Sequence, residues 1–366
     1  MKNFYSDTKF GIYKVWQAGD LRYQTPFKVE AIESVKNSGG NITWHFNDEV
    51  FSCFDWQKDI SDSIQDLYRE RAQFLRKKYA KIVIMYSGGY DSHNMLMSFL
   101  DNNIPVDGVC NFYNSFSHES DDVINEEWTM QTYPRVQQLK TQHPELNFFR
   151  IDTSLNSLNM IDWHADDWRY LGRGSLNPSS LGLSYIHTLL PRAYRTDDTV
   201  ILFGLEKPRL RFKDGRFIFN FVDTIIRPPF LQDSKIEYFY WSPDCPQLVI
   251  KQAQLVKKYW TGATDQMKSL PSNLKNTDLG IVLDHHWAPT QQLYYPSCQS
   301  GKFLAWPAKN HTLHNRDWWI MRGNTNYSEK LKDLVTTSVN SIGLSWFNQN
   351  DASKGLIGIL SQDYFL

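Results

Sequence analysis

The sequence predicts an α/β protein. Its core is a doubly wound parallel sheet, joined by a small N-terminal β-rich module and a mixed, mostly helical C-terminal region. Three observations predict this class. Short apolar runs such as Lys81–Tyr86 (KIVIMY) have the composition of strands buried on both faces. Such runs alternate with amphipathic stretches, as strands joined by crossover helices must. A glycine pair, Gly88-Gly89, stands directly between the first run and the apolar stretch NMLMSFL, where a sheet strand would hand over to a helix.

Taken in order, residues 1–60 read as β hairpins. FGIYKVW is followed by AGD, and NITWHF lies between SGG and ND, all turn signals beside β-prone runs. A helix is expected at about 61–79, because Ile64, Leu67, Tyr68, Ala72 and Leu75 recur at three- and four-residue spacing; Asp59 or Ser61 is its expected cap. Within 61–225 the strands are expected at 81–86, about 106–112, 147–152 and 199–204. Helices are expected over NMLMSFL, at about 123–142 and around 181–194. Beyond 225 the pattern weakens. A helix at 248–260 puts Leu248, Val249, Gln252, Leu255, Val256 and Tyr259 on one face. Residues 226–366, with the Trp-rich stretches DHHWAP and NRDWWIM, are expected to form helices and long loops that close over the core and select a substrate.

Composition narrows the function classes. Of the 366 residues, 41% are hydrophobic and 22% charged, ordinary for a globular chain; aromatics at 15% point to ring packing more than to stacking surfaces. A net charge of -1 gives no support for nucleic acid or anionic membrane as partner. The four cysteines form no CxxC, so neither a zinc ribbon nor a dithiol site is suggested. No run approaches the length of a membrane span. A soluble, cytoplasmic protein acting on a small molecule or nucleoside is the expectation, and the oligomeric state is left open.

The chemistry concentrates in Ser87-Gly88-Gly89-Tyr90-Asp91-Ser92. Glycines let backbone amides approach a phosphate, and the following helix adds partial positive charge. Ser87 and Ser92 offer hydroxyls. Asp91 should repel phosphate, and makes sense if it holds Mg²⁺ that bridges phosphate oxygens. The plain alternative is a glycine-rich turn with a capping Asp or Ser. The pattern S-G-G-x-D-[ST] arises in a random chain of this length with a probability of about one in a thousand. GxxxxGK[ST] is absent, so γ-phosphate transfer is not indicated.

IVIMYSGGYDSHNML resembles the signature of the PP-loop, or N-type, ATP pyrophosphatases. These include the synthetase domains of asparagine, NAD, GMP and argininosuccinate synthetases, tRNA-modifying enzymes and 7-cyano-7-deazaguanine synthase. The flanking YRERAQFLRKKY and SPDCPQLVIKQAQLVKKY are similar to PP-loop proteins carried by bacteriophages, whose compartment would be the host cytoplasm. The resemblance implies an ATP-binding core of the type shared by these enzymes over about 80–210. It also implies cleavage of ATP to AMP and pyrophosphate with Mg²⁺. Ser87, Gly88, Gly89, Tyr90, Asp91 and Ser92 would hold the pyrophosphate end. The strand ends Met85–Tyr86 and Asn111–Tyr113, with Phe112 between, would flank the adenosine. The expected reaction adenylates a carboxylate or amide oxygen, and ammonia or an amine then displaces AMP. Lys2 follows Met1 in place of a nucleophilic cysteine, so the ammonia is expected to be free. Alternatives are modification of a nucleoside or tRNA base, disfavoured by the missing cysteine pair, and nucleotide binding without catalysis. A sulfonucleotide reductase is less favoured still, for want of an ECGxH-like cysteine.

A second constellation follows the strand at 199–204. Gly204, Glu206, Lys207 and Arg209 lie where strand ends converge on the same edge as the glycine loop. Glu206 is a candidate second Mg²⁺ ligand. Lys207 and Arg209 are candidates to neutralise the leaving pyrophosphate. A solvated charged loop is the alternative. Glu126 and Glu127 suit either metal or a helix start. The pairs His285-His286 and His311/His314 read better as surface or packed side chains than as ligands. Cys245 reads as a structural thiol before a sulfur carrier. Asp162, Asp166 and Asp167 suit an amine substrate or a capped turn.

Overall fold

The computed structural model describes residues 11–26, 30–31, 34–35, 38–113, 128–156, 186–204, 208–223, 236–263, 265, 275–276, 280–283, 288–298 and 359–366. The N-terminal module is a three-stranded antiparallel sheet of β1 (Ile12–Gln17), β2 (Asp20–Thr25) and β3 (Asn41–His45), in the order β2-β1-β3. Ala18 and Gly19 turn the first hairpin with positive φ angles of 51° and 89°, which match the twist of the strands they join.

Helix α1 (Ile64–Lys78) buries Ile64, Leu67, Tyr68, Ala72 and Leu75, the stripe its spacing predicts. Its cap is Ser63, not Asp59 or Ser61. The Ser63 hydroxyl accepts from the Asp66 amide at 3.1 Å and donates to the Asp66 carboxylate at 2.6 Å. A Ser with an acid three residues on is a capping box, which the apolar spacing alone does not reveal.

The core is a five-stranded, wholly parallel sheet. Its strands are β4 (Lys81–Met85), β5 (Gly108–Tyr113), β6 (Phe148–Asp152), β7 (Thr199–Phe203) and, beyond a hairpin described below, β10 (Ile236–Tyr238). The spatial order is β10-β7-β4-β5-β6. β4 is therefore central, and Ile82, Val83 and Ile84 are fully buried. Helix α2 (Tyr90–Leu100) follows β4. Between β5 and β6, a π-helical turn, Trp128–Thr132, leads into α3 (Tyr133–Gln142). The helix expected around 181–194 is corrected. Its described part forms two short 3₁₀ turns, Ile186–Leu189 and Arg192–Tyr194, on either side of Pro191, which has no N–H to continue a ladder. The sheet takes its edge strand β10 from residues past 225. Helix α4 (Pro246–Gly262) then packs on α1 and buries Leu248, Val249, Gln252 and Val256.

A second sheet joins strands from before 225 to short strands that the sequence reading did not expect among the described residues past 225. β8 (Leu210–Lys213) and β9 (Arg216–Phe219) form a hairpin closed by Asp214 and Gly215, at φ 51° and 75°. They join β11 (Lys275–Asn276), β12 (Gly280–Leu283) and β13 (Tyr364–Phe365) in an antiparallel sheet ordered β11-β12-β8-β9-β13. The described helices there are α4, α5 (Ala288–Tyr294) and a 3₁₀ turn, Pro296–Cys298. Among the described residues many aromatics are packed in the core. Phe46, Phe51, Trp56, Phe219, Phe221, Trp241 and Tyr364 are buried together, with Trp56 stacked on Phe219 and Tyr364 at 4.9 and 4.7 Å. Among the described residues no helix is long and apolar enough to cross a membrane.

Candidate functional site

From β4 the chain builds β5 and β6 outward on one side of the sheet, then β7 and β10 on the other. The strand order therefore reverses between β4 and β7. In open parallel sheets the crevice beyond the strand ends at such a reversal is where ligands bind. Ser87, Gly88 and Gly89 leave the end of β4 at this point, and α2 starts at Tyr90.

The two glycines are used differently. Gly88 has φ +71°, and a Cβ there would lie 3.0 Å from the Thr132 Cα. Gly89 is extended, at φ −75° and ψ 171°, as the N-cap of α2, so only the first of the pair needs left-handed backbone. The Ser87 carbonyl accepts from the Thr132 hydroxyl at 2.7 Å and from the Gln131 amide at 3.3 Å. It belongs to the same planar peptide as the Gly88 N–H, which must point the opposite way. Among the described residues, no protein group accepts from the Gly88 amide. The two serine hydroxyls lie 3.2 Å apart. The Ser87 amide donates to the Ser92 hydroxyl at 3.2 Å, and the Gly89 amide to the Ser87 hydroxyl at 3.4 Å. These are long bonds that an anion can displace. Gly204, just past β7, closes the other wall. A Cβ there would lie 2.9 Å from the Asp91 carbonyl oxygen and 3.2 Å from the Ser92 amide nitrogen.

Asp91 is half-buried in the first turn of α2. One carboxylate oxygen accepts from the Tyr295 hydroxyl at 2.5 Å, and its main-chain carbonyl accepts from the Tyr240 hydroxyl at 2.7 Å. Burial pushes both phenols well above the usual tyrosine range, so both remain donors at neutral pH. One turn on, Asn94 donates to the Tyr240 hydroxyl at 3.3 Å and accepts from Ser297 at 2.8 Å. The Tyr86 ring is buried, and its hydroxyl lies 3.0 Å from His93 Nδ1. Burial, and then the nearby Arg135 guanidinium, hold His93 down at about 4, so it is neutral at pH 7.

The structure brings Ser87 to Ser92 and Gly204 together beyond the ends of β4 and β7. Asn111 ties β5 to β4 by donating to the Tyr86 carbonyl at 2.9 Å, and Phe112 is half-buried against the core. Arg209, half-buried, immediately precedes β8. Glu206 and Lys207 lie outside the described residues, as do Glu126, Glu127, Asp162, Asp166, Asp167, His285, His286, His311 and His314. The four cysteines are free; burial raises the Cys245 thiol, as suits a structural residue. Sequence reasoning missed Gln131, Thr132, Arg135, Tyr240 and Tyr295. Arg135, three residues past Thr132 on α3, is partly desolvated close to Tyr86 and Tyr90, and this lowers its affinity for its proton. The missed residues lie far from the loop in the chain, and their spacing gives no signal. Among the described residues, no three His, Cys, Asp or Glu side chains gather as a metal cluster. In comparisons with known proteins, no family model and no curated protein matches the chain.

Proposed function

We propose that the crevice between β4 and β7 binds ATP with its pyrophosphate end on Ser87–Ser92, and that the protein transfers AMP to an acceptor. The observation that carries this reading is the turn itself. It leaves a buried central strand at the reversal of strand order, with Gly88 in left-handed backbone and its amide turned away from α3. The start of α2, the serine hydroxyls and the Gly88 amide offer donors to an anion. Arg135 adds a positive charge nearby. Asp91 with phosphate oxygens suits Mg²⁺, which usually takes only one or two protein carboxylates in nucleotide sites. That ion would supply charge neutralisation on the phosphates.

In the proposed reaction a carboxylate or amide oxygen of the acceptor bonds to the α-phosphorus. The bond from that phosphorus to the bridging β-phosphate oxygen breaks, and pyrophosphate leaves with the electron pair. Ammonia or an amine then adds to the activated carbon, AMP departs and a proton is released. The chain's own residues orient the triphosphate, neutralise the leaving group and exclude water. Lys207 and Arg209 are proposed to act on the leaving pyrophosphate, and Glu206 on a second metal ion. The acceptor is proposed to be a small molecule or nucleoside. The resemblance to PP-loop enzymes supports the adenylating chemistry.

A second reading has one observation in its favour. The Asp91 oxygen engaged by Tyr295 also suits a nucleotide-binding protein that does not turn over. A screen for AMP and pyrophosphate release with carboxylates, amines, nucleosides and tRNA separates the two. Acceptor-dependent release of both products supports the enzyme. Tight ATP binding without release under any acceptor supports the binder.

A further inference from the structure

We infer that Tyr295, just past helix α5, is a positioning residue that fixes the Asp91 carboxylate in one orientation before nucleotide arrives. The inference rests on reading Ser87–Ser92 as the ATP site. Two fully buried tyrosines converge on this one residue: Tyr295 on its carboxylate at 2.5 Å and Tyr240 on its carbonyl at 2.7 Å. Their rings pack at 5.4 Å, and Tyr294 packs edge-on to Tyr295 at 4.5 Å. The same segment grips the helix at two further points. Ser297 donates to Asn94 at 2.8 Å, and the Cys298 thiol reaches the Tyr90 carbonyl at 3.8 Å. Tyr294 is itself tied down, since its carbonyl accepts from the Tyr68 hydroxyl, which in turn accepts from Gln252 at 2.9 Å. This last bond explains why a glutamine lies on the buried face of α4.

A buried phenol needs an acceptor, and many peptide carbonyls would serve. Here it takes a half-buried acid in the first turn of the helix that follows the central strand. A charged group held by a rigid, neutral donor loses rotamer freedom during folding, not during binding. Tyr295 thereby bears on the ATP site, although it stands 204 positions after Asp91 in the chain.

The test is a double-mutant cycle on binding of α,β-methylene ATP with Mg²⁺, measured by calorimetry. Tyr295→Phe is expected to weaken binding about tenfold, the size of one hydrogen bond to a charged group. In an Asp91→Asn background the same change should cost less than about twofold. Ser297→Ala, which loosens the segment without touching Asp91, should leave affinity within about twofold. 3-Fluorotyrosine introduced at position 295 gives a second readout that keeps the hydroxyl. Its fluorine resonance should move when Mg²⁺ is added to the nucleotide complex, and stay still in Asp91→Asn. Equal affinity of wild type and Tyr295→Phe, an equal loss in both backgrounds, or a still resonance in the wild-type background overturns the inference alone. Absence of nucleotide binding to the wild type overturns the reading of the loop as well.

Discussion

Gly204→Ala probes how the crevice is closed. The new Cβ would lie 2.9 Å from the Asp91 carbonyl oxygen, 3.0 Å from its carbonyl carbon and 3.2 Å from the Ser92 amide nitrogen. All three are backbone atoms, so no side chain can rotate aside. The end of β7 and the first turn of α2 must separate by a few tenths of an ångström. Overpacking of this kind costs about 1–3 kcal/mol. The same displacement moves the amides that open α2, so nucleotide affinity should fall with stability. Urea denaturation followed by fluorescence should show a lower midpoint with unchanged slope, and calorimetry with α,β-methylene ATP should show weaker binding. Gly262→Ala is the control. It lies at the end of α4 with nothing within 4 Å of its Cβ position, and should stabilise by about 0.5–1 kcal/mol. Wild-type midpoint and affinity in Gly204→Ala would refute the close approach of β7 to the loop.

Two further outcomes are expected. Arg135→Met should weaken ATP binding about tenfold with a smaller change in stability, and unchanged affinity would assign Arg135 to packing beside Tyr86 and Tyr90. His93 gives a pH signature: its folded value of about 4 lies below the ordinary histidine value near 6.5, so the unfolded chain binds the proton first. Its contribution is fully present above about 6.5 and is lost as pH falls toward 4, by up to about 3 kcal/mol. Denaturation midpoints of wild type and His93→Gln between pH 7 and 4 check this, and parallel profiles would contradict it.

Where burial on one element decides the outcome, the sequence was legible. Lys81–Met85 is apolar because it is the central strand, and α1 and α4 announce their buried faces by spacing. The glycine loop was legible for the same reason: strand, turn and helix are contiguous. Where the fold depends on distant pairing, it was not. The hairpin of β8 and β9 carries a local signal, Asp214-Gly215 between apolar runs, but its place between β12 and β13 depends on distant pairing. Its partners β11, β12 and β13 are too short to have periodicity of their own. Ser87, Gly88, Asp91 and Ser92 are adjacent in the chain and could be named together. Thr132, Tyr240 and Tyr295 reach the same place only through topology, and no local pattern marks a tyrosine that will donate to Asp91.

The central claim is that Ser87–Ser92 grips the pyrophosphate end of ATP. A crystal structure with α,β-methylene ATP and Mg²⁺ tests it most directly. The β- and γ-phosphates are expected within hydrogen-bond distance of the Gly88 amide and the Ser92 hydroxyl, with the metal ion on the Asp91 carboxylate. Nucleotide bound elsewhere, or a loop that keeps its serine–amide bonds at saturating nucleotide, would contradict it.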